Sequence, residues 1–129
     1  MVESLIRQKN DRVQRAVSNV SETFQKELDL ETDRIRAWQL RHQKRYQESK
    51  ELFVQIIKRD PKDDWSYWFM GVNERCLESY NRAIDCYDKA IEINPRDYEY
   101  YFSRAYSYFQ MGKWRHAVED CTRAIELNP

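Results

Sequence analysis

The stretches Ala90-Ile91-Glu92-Ile93-Asn94-Pro95 and Ala124-Ile125-Glu126-Leu127-Asn128-Pro129 decide how this chain is read. They differ only at Ile93 against Leu127 and lie 34 residues apart. The same offset backwards reaches Ile56-Ile57-Lys58-Arg59-Asp60-Pro61, so Pro61, Pro95 and Pro129, the 3 prolines of the chain, follow one period. Each proline ends an apolar-periodic run, as expected just past a helix C-terminus, where its ring and missing N–H prevent continuation. A fixed period of this length is the mark of stacked helical units, and it predicts an all-α solenoid.

Working outward, residues 64–95 laid on 98–129 share seven identities: Tyr67/Tyr101, Ala83/Ala117, Ala90/Ala124, Ile91/Ile125, Glu92/Glu126, Asn94/Asn128 and Pro95/Pro129. Within the last unit Tyr101, Ala105 and Tyr108 step by 4 and 3. Trp114, Ala117, Cys121 and Ala124 resume the stripe after Met111-Gly112-Lys113, which predicts a helix, a short turn and a second helix. The middle unit repeats this with Tyr67 and Gly71, then Tyr80, Ala83, Tyr87 and Ala90. Small residues at Gly71/Ala105 and Ala83/Ala117 are expected to face each other where the paired helices approach closely.

These units resemble the tetratricopeptide repeat, a helix-turn-helix with the pattern W-x2-L-G-x2-Y, A-x3-F, P. The middle unit reads Tyr67, Met70-Gly71, Glu74, Ala83, Tyr87, Pro95; the last reads Tyr101, Arg104-Ala105, Tyr108, Ala117, Cys121, Pro129. Residues 30–63 look like a degenerate unit in the same phase. There Ala37, Leu40, Tyr46, Phe53 and Pro61 fit, while Asp33 and Ser49 stand where an aromatic and an alanine are expected. Residues 1–29 carry a stripe at Val13, Ala16, Val17, Val20, Phe24 and Leu28, with no Gly or Pro, and read as a separate amphipathic helix. It is expected to cap the first repeat, with coiled-coil self-association as the alternative. The expected organisation is therefore 1–29 N-terminal helix, 30–63 degenerate repeat, 64–97 repeat and 98–129 repeat. The last unit closes two residues short of a full period and without the polar closing helix such arrays need, which leaves open whether the array continues past Pro129.

Composition narrows the function classes. Lys+Arg 22 balance Asp+Glu 22 for net charge +0, so nucleic acid and anionic membrane are not the default partners. No apolar run approaches the roughly 18 residues of a membrane span. Cys76, Cys86 and Cys121 form no C-x-x-C pair, and His42 and His116 add no ligand spacing, so no metal site, cofactor or disulfide framework is expected. The free thiols, and a start lacking the apolar core of a secretory signal, lead to the expectation of a cytoplasmic protein. No glycine-rich phosphate loop or nucleophile elbow is present, and an enzyme is not expected.

The first helix of each full unit is apolar nearly all round. Trp65, Trp68, Phe69 and Val72 form a stripe apart from Tyr67, Met70 and Gly71; Phe102, Tyr106 and Phe109 lie apart from Tyr101, Ala105 and Tyr108. Such a helix must be covered on both sides. The resemblance implies that the extra face lines a concave groove for a peptide or partner helix, with Trp65, Trp68, Val72, Phe102, Tyr106 and Phe109 as binding residues. The chain's own N-terminal helix, or a downstream helix, is the alternative occupant.

The last two units also look like those of co-chaperones that clamp a C-terminal carboxylate. Under one phasing the clamp's Lys and Asn positions hold Trp68, Val72 and Ser103; under the other they hold Arg34, Trp38 and Phe69, with Glu99 and Ser103 in the third repeat. Aromatics in place of ion-pairing groups favour an apolar or proline-rich ligand. A protein-interaction scaffold is thus the expected function, with co-chaperone-type binding without a clamp, or RNA binding through the basic stretch 34–45, as alternatives. Self-association is expected at the open C-terminal end, through Val118, Cys121 and Ile125, or at the N-terminal helix.

Overall fold

The computed structural model describes residues 1–129 as six α-helices: α1 Val2–His42, α2 Tyr46–Arg59, α3 Asp64–Cys76, α4 Tyr80–Ile93, α5 Tyr98–Gln110 and α6 Trp114–Leu127. The chain divides into two compact units, Met1–Thr32 and Asp33–Pro129. The first is helical throughout, and its apolar stripe is exposed at Val13, Val17, Val20, Phe24 and Leu28. α1 runs on without a break from the expected N-terminal helix, 1–29, into the start of the expected degenerate repeat, 30–63. Asp29-Leu30-Glu31-Thr32-Asp33 contains neither Gly nor Pro, so nothing stops the helix before Gln43.

The second unit is an array in which α3 packs on α4 and α5 on α6, with α2 against α3 and α4 against α5 joining successive pairs. Its backbone repeats with the period of the prolines. Lys44, Glu78 and Gly112, each 34 residues from the next, end their helices in the left-handed region with φ 61°, 62° and 75°. Their N–H groups donate to Arg41, Arg75 and Phe109, and the following N–H groups of Arg45, Ser79 and Lys113 donate to Leu40, Glu74 and Tyr108. That double bond is the Schellman closure, which satisfies carbonyls the helix end would otherwise leave bare. Asp60, Asn94 and Asn128 leave the second helices in one shared backbone conformation (φ −135°, −133°, −144°; ψ 86°, 88°, 79°), each just before its proline. At the starts of α3 and α5, Asp63 accepts from the Ser66 N–H and Asp97 from the Glu99 N–H.

Packing follows the small residues. A Cβ built on Gly71 would stand 2.6 Å from Tyr87 Cε1 and 3.1 Å from Cys86 Cβ, so the space glycine leaves is filled by the buried Tyr87 ring. Gly71 thus faces the Tyr87 ring of α4. Val72, Ala83 and Tyr87 form one buried cluster, and Trp68 and Cys76 lean on it. The two departures in residues 30–63 have local reasons. Buried Ser49 donates its hydroxyl to the Ala37 carbonyl at 2.7 Å and accepts from Asn73 Nδ2 at 2.8 Å, and Asp33 pairs with Arg59 of α2. A polar network replaces apolar contact there without leaving the Ser49 hydroxyl bare.

Candidate protein-interaction face

The first helices of the units lie side by side through specific contacts. The Arg41 guanidinium at the end of α1 stands 5.7 Å from the Phe69 ring of α3, and Arg75 of α3 stands 4.9 Å from the Tyr106 ring of α5. The Trp68 indole donates to Ser103 Oγ at 2.7 Å and tilts against the Tyr100 ring at 5.9 Å. The Tyr100 hydroxyl in turn donates to Asp64 Oδ2 at 2.6 Å.

The residues expected to bind a partner separate into two groups. Trp65, Phe102, Tyr106 and Phe109 are exposed by 38%, 52%, 50% and 55%, large values for aromatic side chains on a packed array. Trp65 keeps an edge contact with Phe69, and Phe109 with Trp114 of α6. Val72 is 3% exposed and belongs to the core cluster, which corrects its assignment as a binding residue: the Trp68 side and the α4 residues Ala83 and Tyr87 cover it. Trp68 is partly buried, and its N–H is already committed to Ser103, so it is an inter-repeat strut more than a free anchor.

Two residues outside the expected binding set belong with the first group. Trp38 and Ile35 on α1 are exposed, and Trp38 stacks edge-on against His42 at 4.0 Å. The signal was available: Trp38, Val72 and Tyr106 are spaced by 34 residues, as are Arg41, Arg75 and Phe109. The divergence of residues 30–63 hid it.

Two of the five cations in the basic stretch 34–45 are held in ion pairs. Arg34 contacts Asp63 at 2.6 Å and Asp60 at 3.6 Å, and Arg45 pairs with Glu48. Those contacts also occupy the one cation at a clamp position. Elsewhere, Lys50 holds the buried Glu74 carboxylate at 2.7 Å, and Arg104 bridges Asp120 and Asp88 at 2.8 Å each. Burial, reinforced by the Glu74 and Asp85 charges, pushes the Cys86 thiol up to about 12, which keeps it protonated and unreactive. No group of three or more His, Cys, Asp or Glu side chains is placed to hold a metal ion, and no helix is long and apolar enough to cross a membrane. On α6, Trp114, Val118 and Ile125 are exposed while Cys121 is half-buried. Their counterparts one period earlier, Tyr80, Ile84, Tyr87 and Ile91, lie on α4, which α5 packs against.

Paired helices of fixed period, closed by one turn geometry and presenting aromatic first helices, define a helical-repeat scaffold. The chain is a tetratricopeptide repeat protein: residues 75–112 match the TPR repeat model and residues 98–129 the tetratricopeptide repeat model. Such repeats are scaffolds that mediate protein–protein interaction and are generally non-enzymatic. It is distantly homologous to human mitochondrial import receptor subunit TOM70, with 40% identity over 55 residues, and to Hsp70-Hsp90 organizing protein 3 of Arabidopsis thaliana, with 39% over 49. These matches cover 39% and 38% of this chain and 9% of each relative's length. In fold it is similar to the type III secretion translocator chaperone SycD of Yersinia enterocolitica, with TM-score 0.75 at 20% identity over 76% of this chain and 74% of that one. It is also similar to MamA, with TM-score 0.73 at 21% identity over 76% and 57%.

Proposed function

We propose that the chain binds an apolar or proline-rich protein segment, as an extended peptide or a helix, along the face formed by the last turns of α1 with α3 and α5. The observation that carries this reading is the exposure of Phe102, Tyr106 and Phe109 on α5, together with that of Trp65 on α3 and Trp38 on the last turns of α1. Exposed aromatic groups cost solubility, and Trp and Tyr dominate binding hot spots, because they desolvate a large area at little conformational cost. Arg41 and Arg75 lie over aromatic rings at the same face and can offer donors to backbone carbonyls of a bound segment. Ion-paired Arg34 and aromatic Trp38 and Phe69 leave no arrangement for gripping a terminal carboxylate, so the co-chaperone relationship is read as one of scaffold, with a different ligand chemistry.

The test is selection of peptides from a random library on the immobilised chain, followed by mapping amide chemical-shift changes for a selected peptide. Changes concentrated on α3 and α5 support the reading. Changes confined to α6 or to residues 2–32 contradict it.

A further inference from the structure

We propose that residues 6–28 of α1 pair antiparallel with the same segment of a second copy of the chain. Residues 2–32 form a helical unit whose apolar side chains Ile6, Val13, Val17, Val20, Phe24 and Leu28 are exposed. Together with Asn10, they step by 4, 3, 4, 3, 4 and 4 along the helix. The stripe is one or two residues wide, too narrow for the broad face a helix turns toward a globular core and of the width of a two-helix seam.

The occupant follows from charge. Residues 2–16 hold four basic side chains (Arg7, Lys9, Arg12, Arg15) against Glu3 and Asp11; residues 17–32 hold Lys26 against Glu22, Glu27, Asp29 and Glu31. One half is therefore +2 and the other −3. A parallel pair sets like halves together, whereas a reversed second copy sets each basic half against an acidic one. The segment is thus complementary to itself in one orientation only, and a two-fold pair is the closed solution. An axis near Ser18 and Asn19 brings Val17 level with the second copy's Val20, Val13 level with its Phe24, and Arg7 and Lys9 beside its Asp29 and Glu27. About this axis residues 9–28 of the two copies overlap, over about 30 Å at the helical rise of about 1.5 Å per residue.

Sedimentation equilibrium on the full chain tests this. A monomer–dimer equilibrium is expected, with the dissociation constant raised at least tenfold by Arg7→Glu/Lys9→Glu, which makes both halves acidic, while helix content stays unchanged. Adding Glu27→Lys/Asp29→Lys to that variant restores opposite halves and should restore the dimer, which separates charge pairing from misfolding. Cross-linking of mixed light and heavy isotope copies should join Lys9 of one to Lys26 of the other. A chain monomeric at all concentrations, a dimer indifferent to the charge variant, or Lys9–Lys9 links predominating over Lys9–Lys26 would overturn the proposal. Tyr106→Ala and Phe109→Ala should leave the dimer intact, so this pairing and the aromatic face stand or fall separately.

Discussion

Trp68 and Ser103 are joined across neighbouring repeats by a hydrogen bond from the indole Nε1 to the hydroxyl Oγ, 2.7 Å long. The same indole meets the Phe69 ring at 4.8 Å, so the side chain ties α3 to α5 while filling the space beside the Val72, Ala83 and Tyr87 cluster. Ser103→Ala is expected to cost about 1 kcal/mol and Trp68→Ala about 3 kcal/mol or more. Urea denaturation checks both; a Trp68→Ala midpoint equal to that of the wild type would contradict the strut. Loss of partner binding in Trp68→Ala therefore says little about a groove.

Gly71 leaves no room for a methyl group. The added Cβ would approach Tyr87 Cδ1 to 2.8 Å as well as Cε1, and Tyr87 is wholly buried and cannot swing aside. Gly71→Ala should destabilise by about 1–3 kcal/mol through overpacking. An unchanged denaturation midpoint would mean that the α3–α4 approach is looser than described.

Much of this was legible in the sequence, and the parts that were not have physical reasons. The 34-residue proline period already located the second helices, because proline marks their ends whatever the intervening side chains. The continuity of α1 was harder to read, since periodicity reports which face is apolar but does not mark a join that lacks a breaker. Trp68 and Val72 were grouped with the exposed aromatics because helical spacing places them on one stripe. Which members of a stripe a neighbouring helix covers depends on packing between repeats, and a single-sequence pattern does not encode it.

The turn positions offer a stabilising change. Lys44 and Glu78 carry side chains at the positive φ that Gly112 adopts with ease. A Cβ in that region costs about 1–2 kcal/mol, partly offset by the chain entropy that glycine loses on folding. Glu78→Gly is expected to gain about 0.5–1 kcal/mol by thermal or chemical denaturation. A loss would show that the Glu78 side chain contributes more than its backbone strain removes.

Cys86 should resist alkylation at pH 8, since burial raises its thiol to about 12 and leaves almost no thiolate. The sign of the linkage follows: a folded pKa above the unfolded value of about 8.5 stabilises the fold below that value, and the contribution falls away as pH rises toward 12. Cys86→Ala should therefore flatten part of the alkaline decline in stability. Rapid labelling of native Cys86 at pH 8 would contradict its burial.

The most direct measurement is calorimetric binding of one library-selected peptide to the wild-type chain and to a Phe102→Ala/Tyr106→Ala/Phe109→Ala variant, with circular dichroism recorded on both. These rings are about half exposed, so their loss should leave helix content and cooperative unfolding in place. The expected result is an affinity loss of at least about 2 kcal/mol, roughly thirtyfold. Equal affinity for a folded variant would contradict binding at the face of α3 and α5.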